Sequence, residues 1–429
     1  MKVGAAHVDI TPPLGLPMDG YGARAGGAVG THDPLAARVL VAEGPDGTAV
    51  GLVVADLLHI DTHLQAIIAE RVLRSTGIPR ERLQLVGTHT HSGPALTEPS
   101  EVERLIGDRI GGAMERAWSE RREAHAAVGV GRVEGIGANR RPYGGPVDDR
   151  VTVARFDDET GRPIATLVNY GCHPTTLGPN NLLYSADYPG VACRALDERL
   201  GGVSIFTTGP QGDVNPGGYS PEGSMVGVVV PWRTFESAER YGRLVADCAL
   251  EVHAKLLPAP ADRIWGTSRV VELARKPLPD TSVARAAAAT AATAERAIRD
   301  AGLSDDAIYH AAAAAAYADL LAVQAADLDR DEPVRVRLSA LGLGPLVHLG
   351  VQGELFVALG QLIRARLGDD HVCIAALCDG TVGYIPTVDA FDEGGYEPNA
   401  SVLLPGEGER LAEAFIALAE QAAAPAEIR

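Results

Sequence analysis

The stretch Gly87-Thr88-His89-Thr90-His91-Ser92-Gly93-Pro94 sets two histidines two residues apart where a buried strand ends in a loop. Leu83, Leu85 and Val86 make the apolar run before it, and Gly93-Pro94 stops regular structure after it. In an extended chain alternate residues project from one face, so His89 and His91 can point into one cavity. Imidazole is the commonest metal ligand, and the second histidine can equally serve as an acid, a base or a hydrogen-bond donor. An isolated His-x-His pair also fits two hydrogen-bonded loop histidines. The rest of the chain decides between these readings.

Upstream, residues 3–10 read as a strand, broken by Thr11-Pro12-Pro13 before a Gly-rich loop to His32-Asp33-Pro34. Residues 37–43 and 49–56 form a β-hairpin about Gly44-Pro45-Asp46-Gly47, and Asp61-Thr62 caps a helix to about Ser75. Downstream, 101–123 has helical spacing and 127–133 resembles a strand. Asn139-Arg140-Arg141-Pro142 follows at a turn flanked by Gly and Pro, where arginines are ordinarily solvated.

Strand after strand then ends in polar residues. The strand 164–170 runs into Gly171-Cys172-His173-Pro174-Thr175-Thr176, and 203–208 runs into Gly209-Pro210-Gln211-Gly212-Asp213-Val214-Asn215-Pro216. Strict alternation at Val334, Val336, Leu338 and Ala340 predicts a half-exposed strand. Its partner, 346–351, leads through Gln352-Gly353 to Glu354 and a helix over 355–367. The strand 372–377 gives way to a loop holding Tyr384, and Gly394-Gly395-Tyr396-Glu397 comes after it. His89, His91, His173, Asp213, Glu354 and Tyr384 thus gather at strand ends, where open α/β folds place their ligands. Two or three imidazoles with one carboxylate is the donor set of catalytic zinc, which keeps a position open for water.

The 429 residues carry no internal repeat and no linker, so one α/β domain over 1–429 is expected. Helices run over 235–256 and, at the end, 406–422. Residues 282–301 and 304–328 are alanine-rich about Gly302 and predict an αα-hairpin packed tightly. The apolar segment 225–232 reads as a lid or a covered edge strand. A formal charge of −18 disfavours nucleic acid and anionic membranes as partners. With no apolar leader and no run of ~20 apolar residues, a cytoplasmic protein is expected. Five cysteines without a Cys-x-x-Cys pair leave no disulfide framework and no thiolate zinc site.

In family order, the stretches Gly87 to Pro94, Asn139-Arg140, His173-Pro174, Gly212-Asp213-Val214-Asn215-Pro216, Gly353-Glu354-Leu355, Tyr384-Ile385 and Tyr396-Glu397 resemble the neutral ceramidases and their shorter relatives. That resemblance implies an α/β/β/α sandwich of mixed sheets flanked by helices. It makes His89, His173, Glu354 and Tyr384 zinc ligands, and it makes His91, Arg140 and Tyr396 the groups that hold the scissile amide and its oxyanion. Asp213 and Asn215 fall in the family's Gly-Asp-Val-Ser-Pro segment, with Asn215 where the family has a catalytic serine. An amide cannot serve as nucleophile, though it can donate or accept a hydrogen bond. The chain also ends at Arg429, before the β-sandwich domain that follows in ceramidases, and six Phe and three Trp offer little to line a lipid groove.

The expected function is therefore zinc-dependent cleavage of a small amide by metal-activated water, on a substrate other than ceramide. An esterase, a lactonase or a carbohydrate-active hydrolase is the alternative on the same site, and a non-catalytic zinc- or ligand-binding homologue is the alternative of another class. A small-molecule substrate is the expected partner. Self-association into a homo-oligomer is left open.

Overall fold

The run that delivers the histidine pair is the edge strand of a nine-stranded sheet. The computed structural model describes all residues except 23, 97–98, 218–229, 231, 328–331, 369–370 and 424–429. Strands Lys2–Asp9 (β1), Ala36–Glu43 (β2), Ala49–Ala55 (β3), Leu83–Gly87 (β4), Arg122–Arg132 (β5), Arg150–Asp158 (β6), Pro163–Tyr170 (β7) and Val203–Thr208 (β8) lie in the order β8-β7-β6-β5-β1-β2-β3-β4, with Ala259–Pro260 added on β5. A second sheet has the order of the chain: Ile264–Leu273 (β9), Val334–Leu343 (β10), Leu346–Val351 (β11) and Val372–Ala375 (β12).

Three neighbouring pairs are parallel, β3 with β4, β7 with β8 and β11 with β12. Parallel strands need a crossover. Helices Thr62–Thr76 (α1), Asp187–Leu200 (α3) and Val357–Leu367 (α7) supply them, while Glu101–Ser119 (α2) packs beside α1 and Phe235–Lys255 (α4) beside α3. Local signals set these ends: Asp61 caps α1 by accepting from the backbone of His63 and Leu64, and Gly77 closes it at φ 75.

The strands read as continuous apolar runs because both faces are covered. Val39 and Val41 of β2 face the α1 and α2 side with Leu64, Ile68 and Ile110. Leu40 and Ala42, one residue out of phase, meet Leu341, Leu343 and Cys373 of the second sheet. The far face of the second sheet is covered by α7 and by Glu407–Ala423 (α8), through Leu359, Ile363, Leu411 and Phe415. Helices α3 and α4 cover the β5 to β8 part through Tyr188, Leu196, Tyr241 and Val245. The order is helix, sheet, sheet, helix, as the resemblance implied.

Helices Thr281–Asp300 (α5) and Asp305–Asp327 (α6) form a hairpin outside these layers, with a core of Ala284, Ala322 and Ala325. Three expectations differ. The helix expected over 101–123 stops at Ser119, because Arg122 already begins β5. The edge strand β9 has no counterpart in the sequence reading, since all but its two end residues are partly buried or exposed and give no periodic signal. In β10 the alternation holds only for the first four residues; from Leu338 on, both faces are buried. Most of the segment 225–232, expected as a lid or edge strand, lies outside the described residues. Among the described residues no helix is long and apolar enough to cross a membrane.

Candidate metal centre

The large sheet curls until its two edges meet, which is what assembles the site. Thr208 at the end of β8 donates to the Thr88 carbonyl at 2.6 Å, just past the end of β4. The end of β12 joins them: Ala376 N–H donates to Thr208 O at 2.9 Å and Gly87 N–H to Leu377 O at 3.2 Å. The carboxyl ends of β4, β7, β8, β11 and β12 therefore deliver His89 and His91, His173, Asn215, Glu354 and Tyr384 to one place.

His89 and His173 are buried, and each has Nδ1 on a backbone carbonyl: Leu58 O at 3.0 Å for His89, Val214 O at 3.0 Å for His173. A carbonyl only accepts, so each Nδ1 carries a proton, and in the neutral ring Nε2 is a bare lone pair. Both Nε2 atoms face Glu354 Oε2, at 3.4 Å from His89 and 2.9 Å from His173. Burial pushes His173 down to about 4, so this ring is neutral at pH 7. Lone pairs turned on an ionised carboxylate repel one another unless a cation lies between them. This donor set fits a metal ion, with the outer nitrogens oriented as ligating histidines are.

His91 completes a group: its ligand atom and those of His89 and His173 all lie within 4.8 Å of one another, a cluster that can hold a metal ion. Its ring differs from the other two. Nδ1 of His91 is buried without a hydrogen-bond partner, and Nε2 lies 3.4 Å from Nε2 of His89. Burial, with the neighbouring histidines, pushes its pKa well down. Tyr384 stands beside Glu354 as its partner in the two-residue parallel ladder Glu354–Leu355 with Tyr384–Ile385. Burial first, and Glu354 next, push the Tyr384 phenol well above 10.

Arg140 is buried, against the expectation of a solvated turn, and its fork is nearly used up. Nε donates to Glu397 Oε1 at 2.7 Å, Nη1 to Asn215 Oδ1 at 2.9 Å, and Nη2 to Gly212 O at 2.9 Å and to the Tyr384 hydroxyl at 3.0 Å. One N–H of the five is left over. Arg141 takes the other oxygen of Glu397 at 2.8 Å and reaches Glu393 Oε2 at 3.3 Å, so the two arginines share one buried carboxylate and Arg141 has a second. Because Arg140 can only donate, Asn215 must offer it Oδ1, and the amide N–H₂ of Asn215 faces the other way, to the cavity it lines.

The cavity measures about 830 Å³ and is lined by His89, His91, Arg140, Asn215, Glu354, Tyr384 and Tyr396 among others. Tyr396 stacks edge-on to Tyr384 with centroids 5.4 Å apart, and burial pushes it up to about 12. Asp213 stands behind the wall: Oδ1 accepts from Val357 N at 2.9 Å, at the start of α7, and Oδ2 from Asn139 Nδ2 at 2.8 Å. Of the two nearby hydroxyls, Thr176 is held by Asp187 at 2.5 Å, while Thr175 lines the cavity. Gly212 is needed here, for a Cβ would meet Glu354 O at 2.5 Å.

Sequence reasoning missed part of this wall. Asp19, Gly20 and Tyr21 come from the first Gly-rich loop, and Tyr317, Leu320 and Val323 come from α6. An aromatic residue between glycines in Asp19-Gly20-Tyr21-Gly22 was the available signal for the loop; the alanine-rich helix offered none.

No family model matches the sequence. The chain is 27% identical over 259 residues to neutral ceramidase A of Dictyostelium discoideum, a match covering 51% of this chain and 36% of that protein. It is 27% identical over 225 residues to the neutral ceramidase of Oryza sativa subsp. japonica, covering 46% and 28%. The matched stretch thus spans about a third of these relatives' length. The crystal structure of neutral ceramidase from Pseudomonas aeruginosa superposes with a TM-score of 0.74 at 19% identity, over 100% of this chain and 76% of that one. A ceramidase complexed with C2 gives 0.75 at 19% identity, over 97% and 74%. Over about half its length the chain is thus similar in sequence to neutral ceramidases, and along nearly all of it the chain has the fold of the solved ones.

Proposed function

We propose that this chain hydrolyses an amide bond of a small molecule, with a zinc ion held by His89, His173, Glu354 and Tyr384. The observation that carries the reading is the inward-facing donor set: two bare imidazole nitrogens on one carboxylate oxygen, both outer nitrogens on carbonyls. When bound, zinc polarises the scissile carbonyl and lowers the pKa of water towards ~7.

The remaining residues divide the work. No carbonyl fixes the proton of His91 on Nδ1, so Nε2 can carry it and, with the His89 lone pair taken by the ion, donate it to the substrate carbonyl. Tyr396, kept protonated at about 12, is a second donor where charge develops on oxygen. Arg140 holds Tyr384 and Asn215 in place and keeps one N–H for the oxyanion. Asn215 turns an N–H₂ to the cavity and orients the substrate, while water attacks directly. The hydroxyl of Thr175 is the one candidate among the described neighbours of His173 for a covalent route.

A cavity of about 830 Å³ suits a small molecule. Arg233, Arg275, Arg335 and Asp19 on its wall disfavour two long alkyl chains, so ceramide itself is not the proposed substrate. The test is metal content followed by turnover. Purified protein carries one zinc, lost in His89→Ala and His173→Ala, and it cleaves members of a panel of short amides in a chelator-sensitive way. Full metal content in both variants sinks the ligand assignment. Turnover of esters alone replaces amide by ester, and robust turnover of ceramide in detergent removes the size argument.

A further inference from the structure

Helix α6 is packed the reverse way to an ordinary amphipathic helix. Its small Ala322 and Ala325 face α5, where they meet Ala284 and Ala288. Its larger Tyr317, Leu320 and Val323 lie on the cavity wall, at a spacing that makes one helical face. Leu320 and Val323 stay 40% and 48% exposed there, apolar surface that the hairpin's own packing leaves unused.

Arg275 reaches the same cavity from another element. Its backbone bridges to Leu403, beside Val402 and Ala400 of the wall. Nε donates to the Glu332 carbonyl at 3.0 Å, and no carboxylate pairs with Arg275 among the described residues. The edge formed by Nη1 and Nη2 is therefore uncommitted. Neighbouring cations are spent: Arg335 pairs with Glu272 at 3.2 Å, and Lys276 Nζ donates to the carbonyls of Pro398 and Asn399 at 3.1 and 2.7 Å. In a chain of net charge −18, a cavity-lining guanidinium that pairs with no acid among the described residues calls for an anion from outside.

We propose that the substrate carries an apolar arm lying along Tyr317, Leu320 and Val323 and ending in a carboxylate held by Arg275. The inference rests on the amide-hydrolase reading of this cavity and adds the charge class of what enters it. The uncommitted edge of Arg275 presents two parallel N–H groups, which matches the two oxygens of a carboxylate. Asp19 and Glu354 on the same wall repel an anion, so the charged end is steered to Arg275 and the amide is left for the histidines.

Equilibrium binding by calorimetry tests this, using N-butyl amides of medium-chain acids whose far end is carboxylate, carboxamide or methyl. A chelator is present throughout, which prevents turnover and removes any ion as a rival site for the anion. The carboxylate-ended amide binds about tenfold more tightly than the carboxamide-ended one, a preference that fades as salt is raised. In Arg275→Gln and Arg275→Ala, shown by thermal melting to be folded, the ratio falls to about one. Equal affinity for the two ends in the unaltered protein, or a preference surviving both substitutions, overturns the proposal. Hydrolysis after metal is restored is scored separately, so failure of the amidase reading and failure of the Arg275 site give different results.

Discussion

His89 adopts φ 69, a left-handed conformation that costs a residue with a Cβ about 1–3 kcal/mol. The backbone bond from its N–H to Leu57 O at 2.9 Å and the ring bond to Leu58 O hold it there. Alternation along an extended strand thus put His89 and His91 in one cavity, which they share, by a geometry the chain does not use. His91 depends in turn on Gly20, at φ 98, where a Cβ would come 2.5 Å from the imidazole ring. Gly20→Ala is expected to cost about 1–3 kcal/mol in stability and to displace His91. Turnover falls while the metal content set by His89 and His173 persists; a fully active variant refutes the dependence. Asp56 makes a separate case. Burial pushes its carboxyl from 3.8 to about 6, so the folded state binds a proton more tightly than the unfolded chain. Its cost is absent below about pH 4, grows as pH rises to about 6 and is constant above that. Asp56 accepts from Ala36 N at 2.8 Å and from the Thr88 hydroxyl at 3.2 Å, and a hydroxyl can turn to accept instead. Asp56→Asn is therefore expected to stabilise by on the order of 2 kcal/mol at pH 8 and not at pH 4, read by urea unfolding at both. A variant no more stable than the parent at pH 8 disproves it.

At the level of elements, the strand ends were legible because strands buried on both faces read as unbroken apolar runs, and what followed each run was polar. The arginine pair was not legible. Arg140 and Arg141 are 4% and 2% exposed only because Glu397, more than 250 residues along, brings its carboxylate to them, and nothing local announces such a partner. Asp213 shows the opposite failure: a polar residue in the right loop turns to the start of α7 instead of the cavity. The hairpin was legible as two helices and not as a wall, because alanine content speaks for close packing and is silent on which larger residues are left over. Its own core is so thin that one added side chain is decisive. Ala322→Leu puts extra volume where Ala284 packs, at a cost of about 1–3 kcal/mol. The sheets do not share that interface, so the expected outcome is local: faster proteolysis within 281–327, a raised KM for amides and an unchanged main melting transition. An unchanged proteolysis pattern and KM would show that the hairpin does not shape the cavity.

For the molecule as a whole, the site is a seam between two sheets. His89 and His173 belong to strand ends of the large sheet and Glu354 to the end of β11 in the other, and they meet only because the large sheet curls on itself. An ion bound to all three ties the sheets together and stabilises the whole fold by mass action, about 4 kcal/mol at a free concentration a thousand times its Kd. A chelator should then lower the melting temperature of the parent protein and leave that of His173→Ala unmoved. The three histidines offer a competing arrangement, since His89, His91 and His173 alone lie within 4.8 Å of one another and all follow strands of the large sheet. Glu354→Gln separates the two. With Glu354 as ligand, the glutamine variant binds metal weakly and its melting hardly responds to chelation. With a three-histidine site, the variant keeps its metal and its response, and the ion then stabilises one sheet without tying it to the other.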